Sequence, residues 1–475
     1  MMKSKSPLWT SADAATATHG DVTQGFVATG VSINTRTLQP GDLFIALVGP
    51  NVDGHDYVAT AFEKGAVGAC VSHRPPVFDP DTPLLMVEDT MQALKDLGEF
   101  ARLKFQGKMI AVTGSVGKTG TKEALNLVLG DQGKATASLG SLNNQWGSPL
   151  SLSRMVDGAN FGVMELGMNH PGELGPLSKT VRPHVCLVTT VQPAHTEFFD
   201  STAQIAQAKA EIFQGAVPGW SAVLNGDIKE FAQLEAAAKA QDAAHILTFG
   251  ENEKADFRLQ SCELGSMGSD VVAMTPLGEI NYHIASPGKH WVLNSLGVLA
   301  AVHAVGADVN KAAKSLSHLS PPEGRGQRFD IQIADGSFTL IDESYNASPA
   351  AIRAALDVIA AFPLDANARR ICVLGDMMEL GDDTPKLHSD LAEPLISSGV
   401  DLAFLTGEAM QYLWDVLPKT MQGQHSKSSN ELARVVKDAI KPGDVVMVKG
   451  SAGSQMGRIV ETLRSMDISK NKDEG

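Results

Sequence analysis

The most informative chemical motif in this 475-residue chain is a glycine loop, Thr113-Gly114-Ser115-Val116-Gly117-Lys118-Thr119. An apolar, strand-like run over residues 109–113 precedes it, and a helical stretch ending at Gly130 follows. Glycines let a loop turn its backbone N–H groups onto phosphate oxygens, and the start of a helix adds a positive field. The lysine would reach the β- and γ-phosphates, and the threonine would bind magnesium. Because Val112 stands where the usual P-loop has its first glycine, the motif predicts a shortened ATP-binding loop, G-x-x-G-K-T.

Two further polar residues follow strand-like runs of the same block. Glu165 ends the run Phe161–Glu165, and His195 comes shortly after the run 185–191. Ligands gather at the carboxyl edge of parallel sheets, so Glu165 could hold magnesium there and His195 would lie beside the phosphates. Taken alone, a strand-end glutamate is as often merely solvated. A lone loop histidine is more often a surface or capping residue.

The elements that must position these residues alternate between short apolar runs and helical stretches, the pattern of parallel sheets covered by helices. The pattern predicts an α/β protein of three domains, residues 1–107, 108–322 and 323–475. Residues 317–328, with two prolines and two glycines, are typical of a linker or hinge, and the tail 470–475 is predicted to be disordered. Further strands are predicted at 43–47, 68–72, 84–87, 338–342, 371–375, 402–406 and 445–449. Further helices are predicted near 57–64 and 91–104, over 202–213, and from Pro349 with Ser348 as N-cap.

Composition limits the classes of partner and the compartment. The net charge of −15 argues against nucleic acid or an anionic membrane surface as the main partner. The amino end lacks the apolar core of a secretory signal, and no run of 18 apolar residues occurs, which predicts a cytoplasmic protein without membrane insertion. Cysteines without a C-x-x-C pair, mostly in apolar runs, predict buried thiols in a reducing compartment. They are Cys70, Cys186, Cys262 and Cys372.

Taken in order, these motifs resemble those of the Mur ligase family from about residue 30 to 460. Beside the glycine loop, the resemblance rests on the E-L-G-M-N-H-P-G-E run from Glu165, Pro193-Ala194-His195, the K-A-E-I-F run from Lys209, Gly288-Lys289-His290 with Asn294, and the D-E-S-Y-N-A-S-P run from Asp342. It implies a three-domain Mur ligase architecture with a central P-loop ATP-binding domain and a C-terminal Rossmann-like domain. Asn143-Asn144 and the G-D-L-F-I-A-L run from Gly41 resemble the member that adds D-alanyl-D-alanine to UDP-N-acetylmuramoyl-tripeptide.

The resemblance implies roles that the residues alone do not establish. It implies a monomeric ATP-dependent ligase of peptidoglycan synthesis that acts through an acyl phosphate. ATP would be bound by residues 113–119 together with Asn294, Arg328, Asp342, Tyr345 and Asn346. Magnesium ions would be held by Thr119, Glu165, His195 and Lys209, with Lys209 carrying carbon dioxide as a carbamate. Lys118 would join Glu165, His195 and Lys209 as catalytic residues, and the substrates would contact Thr35, Arg36, Asn143, Asn144, Lys449 and Ser451.

The chain departs from the family pattern at three places. Asn34-Thr35-Arg36 stands where the family usually has D-S-R, Val116 replaces a commoner polar residue, and Gly120 replaces a second threonine. A folate polyglutamate ligase would share the first step but should lack the G-D-L-F first domain. A P-loop switch or motor ATPase would make no covalent product, and the shortened loop and extra domain count against it. A non-catalytic binding module agrees least with the presence of Lys118, Glu165, His195 and Lys209.

Overall fold

The computed structural model describes residues 7–74, 79–193 and 197–469, in which the chain forms three large sheets and one strand pair. Each large sheet consists mainly of parallel strands with helices between them, which confirms the predicted α/β class. Parallel strands need crossover connections, and the helices of those crossovers cover the sheet.

The first sheet has five strands, of which only the edge strand Asp21–Val22 is antiparallel to its neighbour. In spatial order the strands are Asp21–Val22, Leu84–Met86, Gly68–Val71, Asp42–Ile45 and Gly30–Ser32. A separate pair joins Trp9–Thr10 to Val27–Ala28. The helices here are Ser11–Thr18, Val58–Glu63 and Thr90–Lys104, with a 3₁₀ turn at Gly54–Tyr57.

The central sheet has nine strands, and the glycine loop follows a strand in its interior. In spatial order the strands are Gly278–Ile284, Ser269–Thr275, Phe257–Leu264, His245–Gly250, Ser221–Asn225, Val185–Val188, Lys108–Thr113, Phe161–Glu165 and Ala135–Ala137. The first three are joined antiparallel and the others are parallel. The helices are Lys118–Gly130, Gly147–Ser153, Leu174–Val181, Thr202–Ala210, Phe231–Ala240, Lys289–Ala304 and Val309–Ser315, with 3₁₀ turns at Glu211–Gly215 and Leu316–His318.

The third sheet has six strands and begins with an antiparallel hairpin. In spatial order the strands are Gln327–Ile333, Gly336–Glu343, Val445–Lys449, Arg370–Gly375, Leu402–Thr406 and Gln422–Ser426. The helices are Pro349–Ala360, Thr384–Ser389, Ala392–Ser397, Met410–Val416, Ser429–Ala439 and Gly457–Arg464, with 3₁₀ turns at Gly381–Asp383, Lys419–Met421 and Ala452–Ser454. Ser348 caps the first helix as predicted, since its hydroxyl accepts a hydrogen bond from the N–H of Ala351.

The central sheet is covered on both faces, and this places the site at its edge. Alternate residues of the strand Lys108–Thr113 point to opposite faces, so Ile110 belongs to one buried core and Ala111 to the other. The helix Lys118–Gly130 packs on the first face and the helix Thr202–Ala210 on the second. The strand order reverses beside Lys108–Thr113, and such a reversal opens a crevice at the carboxyl edge of a parallel sheet.

A buried arginine joins the first domain to the central sheet. Arg102, near the end of the helix Thr90–Lys104, donates from Nε to the carbonyl of Val181 at 2.5 Å and from Nη2 to that of Arg182 at 2.6 Å. These carbonyls lie at the end of the helix Leu174–Val181, where orphan acceptors favour a cation. The contact fixes the two domains to each other away from the central crevice.

Several predicted boundaries differ from the structure. The predicted strand 185–191 ends at Val188, because the chain turns there to pack over the glycine loop. The predicted helix 202–213 ends at Ala210 and tightens into a 3₁₀ turn. The predicted linker 317–328 ends inside the strand Gln327–Ile333. The tail 470–475 lies outside the described residues, and within the described ranges no helix is long and apolar enough to cross a membrane.

Candidate active site

The glycine loop is held against the neighbouring strand by close backbone contacts. Gly114 has φ +150°, and a Cβ atom there would lie 1.9 Å from the hydroxyl oxygen of Thr189. That hydroxyl donates to the carbonyl of Val116 at 2.6 Å. The hydroxyl of Ser115 donates to the carbonyl of Gln192 and accepts from its N–H, both at 3.0 Å. Only a glycine therefore fits at position 114.

Lys118 begins the helix after the loop, and its ammonium group lies inside the loop. Nζ donates to the carbonyls of Gly114 at 2.7 Å and Ser115 at 3.4 Å. Burial lowers the pKa of Lys118, the carboxylate of Glu165 opposes this shift, and the guanidinium of Arg325 adds to it. The carbonyl contacts are the kind that a lysine exchanges for phosphate oxygens when an anion enters the loop.

Several buried oxygens around the loop have no hydrogen-bond partner in the described residues. Two of them belong to residues that line the cleft and suit a metal ion: Oγ1 of Thr119 and Oε2 of Glu165, whose residues are 4% and 1% exposed. The other oxygen of Glu165, Oε1, accepts a hydrogen bond from Nδ2 of Asn143 at 2.8 Å. Unpaired buried oxygens are unfavourable unless a ligand satisfies them. Hydroxyl and carboxylate oxygens are the donors that magnesium prefers, so this pair fits such an ion.

Lys209 is 3% exposed, on the inner face of the helix Thr202–Ala210. Burial lowers the pKa of Lys209 well below its usual value, and the positive charge of Lys118 lowers it further. No carboxylate pairs with Lys209 in the described ranges. An amine in this setting is therefore prone to be neutral or to be modified.

Lys118, Thr119 and Glu165 line a cleft of about 620 Å³ between the central sheet and the C-terminal sheet, whereas Lys209 is not one of its lining residues. Many predicted site residues line it: Ser115, Val116, Gly117, Lys118, Thr119, Asn143, Glu165, Asn294, Tyr345, Asn346, Lys449 and Ser451. Gly117 is the N-cap with φ +85°, and a Cβ atom there would lie 2.6 Å from Nδ2 of Asn294. The glycine loop, its helix and the partner helix Lys289–Ala304 therefore form one wall of the cleft.

The opposite wall comes from the C-terminal domain. Tyr345 forms a hydrogen bond with the hydroxyl of Ser141 across the cleft, and the guanidinium of Arg325 lies 4.0 Å above the Tyr345 ring. Lys449 donates to Oε2 of Glu343 and to the carbonyl of Asn346, both at 3.0 Å. Asn346 accepts the N–H of Ala347 at its own Oδ1. This wall therefore presents cations next to a tyrosine ring.

Ser451 also lines the cleft, two residues after Lys449. Its hydroxyl accepts the N–H of Met378 at 3.0 Å and contacts the carbonyl of Ala347 at 3.4 Å. The hydroxyl is buried with its residue, which is 4% exposed. These hydrogen bonds hold the Ser451 hydroxyl in place. The predicted contact with substrate would therefore be made without movement of this side chain.

The structure does not bring every predicted residue to the cleft. Arg328 donates from Nη1 to the carbonyl of Ser266 at 2.8 Å and stacks 4.3 Å from the ring of Phe362. Asp342 is 4% exposed and accepts the N–H of Ser344 at 3.0 Å. Both side chains thus have protein partners and lie outside the cleft lining, and their approach to the nucleotide stays a prediction.

Asn144, Thr35 and Arg36 also lie outside the cleft lining. Oδ1 of Asn144 accepts the N–H of Gly147 at 2.9 Å, which fixes the turn before the helix Gly147–Ser153. Thr35 and Arg36 belong to the first domain, where Nζ of Lys64 donates to the Thr35 carbonyl. Thr113 is buried below the loop with its hydroxyl unpaired. His195 lies outside the described residues.

Sequence reasoning missed three residues that line the cleft: Arg325, His290 and Trp291. Arg325 lies within the predicted linker, and no local sequence feature distinguishes it from Arg328 as a cleft residue. His290 belongs to a motif that the resemblance included but was given no role. Burial lowers the pKa of His290, so its imidazole is held neutral. Trp291 carries no motif of its own.

Comparisons with known proteins agree with this arrangement. Three family models match consecutive parts of the chain: the Mur ligase family catalytic domain over residues 27–101, the Mur ligase middle domain over 112–302, and the Mur ligase glutamate ligase domain over 324–452. The chain is 31% identical to the UDP-N-acetylmuramoyl-tripeptide–D-alanyl-D-alanine ligase of Rickettsia prowazekii, with 96% of this chain and 99% of the relative covered.

The Escherichia coli enzyme of the same name is 32% identical, with 91% and 93% covered. A crystal structure of MurF from Acinetobacter baumannii superposes with a TM-score of 0.81 at 28% identity, with 97% of this chain and 99% of that one covered. These likenesses extend over the whole length of the chain, including both walls of the cleft.

Proposed function

Because the chain belongs to the Mur ligase family, we propose that it is an ATP-dependent ligase that joins D-alanyl-D-alanine to UDP-N-acetylmuramoyl-tripeptide in peptidoglycan synthesis. The observation that carries the chemistry is the pair of unpartnered oxygens of Thr119 and Glu165 next to Lys118 in a glycine loop. The relatives that bear this activity in their names match more than nine-tenths of the chain.

The reaction has two steps. A terminal carboxylate oxygen of the tripeptide attacks the γ-phosphorus of ATP, and the bond to the bridging oxygen breaks to release ADP. The amine of the dipeptide then attacks the carbonyl carbon of the acyl phosphate, loses a proton and expels inorganic phosphate. Lys118 neutralises charge that develops on the transferring phosphoryl group, which is the main task in phosphoryl transfer.

Magnesium would be held by Thr119 and Glu165 at the orphan oxygens. Bound there, it would supply a positive charge that draws electron density from the phosphate oxygens. Asn143 orients the carboxylate by its hydrogen bond to Oε1, so that Oε2 remains free. Glu165 and Lys118 thus place a magnesium ligand and a phosphate-binding cation next to one another, which suits an ion–phosphate pair.

Lys209 is proposed to carry carbon dioxide as a carbamate. The neutral amine attacks the carbon of CO₂ and loses a proton, which gives an anion with two oxygens. The lowered pKa of Lys209 increases the fraction of the amine that is neutral and nucleophilic. An anion near Lys118 would also replace a repulsion between two cations by an attraction. His195 keeps its predicted role as a further ligand.

The substrates are proposed to bind in three domains, residues 1–107, 108–322 and 323–475. Thr35 and Arg36 would contact the uridine diphosphate part in the first domain, and Asn143 would contact the peptide end. Lys449 and Ser451 would contact the dipeptide, since both line the cleft and the ammonium of Lys449 could share its bond to Glu343 with a substrate carboxylate. Residues 321–326 would serve as the hinge that closes the cleft and excludes water from the acyl phosphate.

We place the activity in the cytoplasm. All four cysteines carry free thiols, and Cys70, Cys186 and Cys372 are buried, as expected for a chain kept in a reducing compartment. Burial raises the pKa of each of these three thiols, so they are unreactive. ATP, the proposed phosphoryl donor, is also a cytoplasmic substrate.

The decisive measurement is phosphate release with UDP-muramoyl-tripeptide, with and without D-alanyl-D-alanine. The tripeptide should be supplied with either diaminopimelate or lysine as its third residue. We expect sustained release only when both substrates are present. Sustained release with folate and glutamate instead would favour the polyglutamate ligase, and steady ATP turnover without any acceptor would favour a switch or motor ATPase.

A further inference from the structure

Gly120, in the first turn of the phosphate-loop helix, contacts the indole ring of Trp291. A Cβ atom at position 120 would lie 2.6 Å from Cη2 and 2.9 Å from Cζ3 of that ring. Such distances are far inside ordinary van der Waals contact. Gly120 lies within the helix Lys118–Gly130, so the position demands the absence of a side chain and not an unusual backbone angle. The glycine that stands here in place of the family threonine is therefore explained by the position of the Trp291 ring.

The same partner helix makes a second contact with the loop. Trp291 and Asn294 lie three residues apart on the helix Lys289–Ala304 and thus on one face. Trp291 meets Gly120, while Asn294 meets Gly117. The two contacts lie on either side of Lys118 in the sequence. The position of this helix therefore sets the shape of the loop that holds the lysine.

Trp291 differs from the other buried tryptophans in its hydrogen bonding. Trp9 donates its indole N–H to the carbonyl of Ser153 at 2.8 Å, and Trp220 donates to that of Gln241 at 2.9 Å. Trp291 is 7% exposed and lines the cleft, and within the described parts of the chain its N–H has no acceptor. The free N–H is thus available to a molecule in the cleft.

We propose that Trp291 is a positioning residue for the nucleotide, placed by the space at Gly120. Its ring keeps the helix Lys289–Ala304 at a fixed distance from the glycine loop, and the bound nucleotide completes the contacts of the ring. Only the ATP-binding part of the proposed function is needed for this inference. The identity of the peptide substrates does not enter it.

The test measures binding of ADP and ATP with magnesium by calorimetry, in the absence of peptide substrates. Gly120→Thr should weaken nucleotide binding by about tenfold or more, because the added atoms overlap the ring. Trp291→Ala should weaken it by about threefold to tenfold, since it removes the ring but adds no overlap. The double variant should bind about as well as Trp291→Ala alone, because the threonine then has room. In turnover, KM for ATP should rise more than kcat falls.

Gly130 provides the matched control. It ends the same helix, and a Cβ atom there would meet nothing within 4 Å. Gly130→Ala should leave nucleotide binding unchanged. Equal affinities for Gly120→Thr and Gly130→Ala, or effects of Gly120→Thr and Trp291→Ala that simply multiply, would overturn the inference. A wild-type chain that binds no nucleotide would overturn it together with the ATP part of the proposed function, whereas binding without ligation would contradict only the proposed reaction.

Discussion

The two walls of the cleft are built by different means. The wall from the central sheet is built around one continuous motif: loop, lysine and threonine follow one another, Glu165 ends the adjacent strand, and the helix Lys289–Ala304 packs on the loop. The wall from the C-terminal domain is assembled from distant segments, with Lys449 bonded to Glu343 and Tyr345 bonded to Ser141. The first wall is fixed by packing within one domain, and the second depends on how two domains meet.

This difference indicates which charged groups are available to bind the nucleotide. On the central wall, the unpaired oxygens of Thr119 and Glu165 have no partner in the described residues, and burial disfavours the charge of the lysine beside them. On the C-terminal wall, Arg328 and Asp342 already have protein partners, and only Arg325 is near enough to Lys118 to influence its charge. Substitutions should therefore separate catalysis from stability on the two walls.

The largest effect is expected for Lys118. Lys118→Ala should lower kcat by a factor of about 10² to 10³, as removal of one electrostatic stabiliser usually does. The free energy of unfolding should not fall, because burial of the ammonium lowers its pKa and hence opposes folding at neutral pH. Phosphate release and thermal unfolding check the two parts. Lys239→Ala, which removes an exposed ion pair with Glu235, is the control and should leave turnover unchanged.

Lys209 tests whether the central wall needs a modified residue. Lys209→Ala should lower turnover by a factor on the order of 10², because one anionic ligand is lost. Added acetate or formate should restore part of the activity by supplying a carboxylate in the space of the carbamate. Lys209→Arg keeps the cation and leaves no such space, so it should be inactive and not rescued. Full activity of Lys209→Ala, or rescue that fails in both variants, would contradict the carbamate.

Arg325 and Arg328 test the C-terminal wall directly. Arg325→Ala should lower kcat/KM for ATP by about tenfold or more, since a cation beside the phosphates is removed. Arg328→Ala should change kcat/KM little but lower the free energy of unfolding by about 1 kcal/mol, because its hydrogen bond to Ser266 and its stacking on Phe362 are lost. Steady-state kinetics and denaturant unfolding, measured in parallel on both variants, test this prediction. The reverse pattern would restore the role that the sequence predicted for Arg328.

The contrast between these arginines also shows what sequence could not provide. The two residues are three apart in a segment rich in proline and glycine, and which one faces the cleft depends on where the strand Gln327–Ile333 begins. That start is fixed by pairing with residues 336–343, in which Arg328 lies opposite Ile341. Local motifs such as the glycine loop, the strand ending at Glu165 and the cap at Ser348 need no such partner, and these were predicted correctly.

The antiparallel strands at the far edge of the central sheet were not predicted, for a different reason. Residues 269–284 alternate buried and exposed side chains, with Val271, Ala273, Ile280 and Tyr282 pointing inward. The period of two is visible in the sequence and predicts a hairpin. The strands are not among the predicted elements, because the βαβ pattern on either side of them indicates parallel strands only. The full burial of Lys209 could not be judged from helix periodicity, which indicates the face of a helix that is buried but not how deeply.

The smallest effect is expected for Asp342, and it tests whether that carboxylate has any catalytic part. Burial raises the pKa of Asp342 above its usual 3.8, so the charged form opposes folding. This penalty is full above the folded pKa and disappears as the pH falls below the usual value. Asp342→Asn should therefore raise the free energy of unfolding at pH 7 by at most about 1 kcal/mol, and the gain should shrink toward pH 4. The asparagine oxygen can still accept the N–H of Ser344, which replaces the present hydrogen bond of 3.0 Å, so kcat/KM for ATP should not change. A tenfold loss of kcat/KM without a change in stability would place Asp342 at the nucleotide after all and would remove the distinction drawn between the two walls.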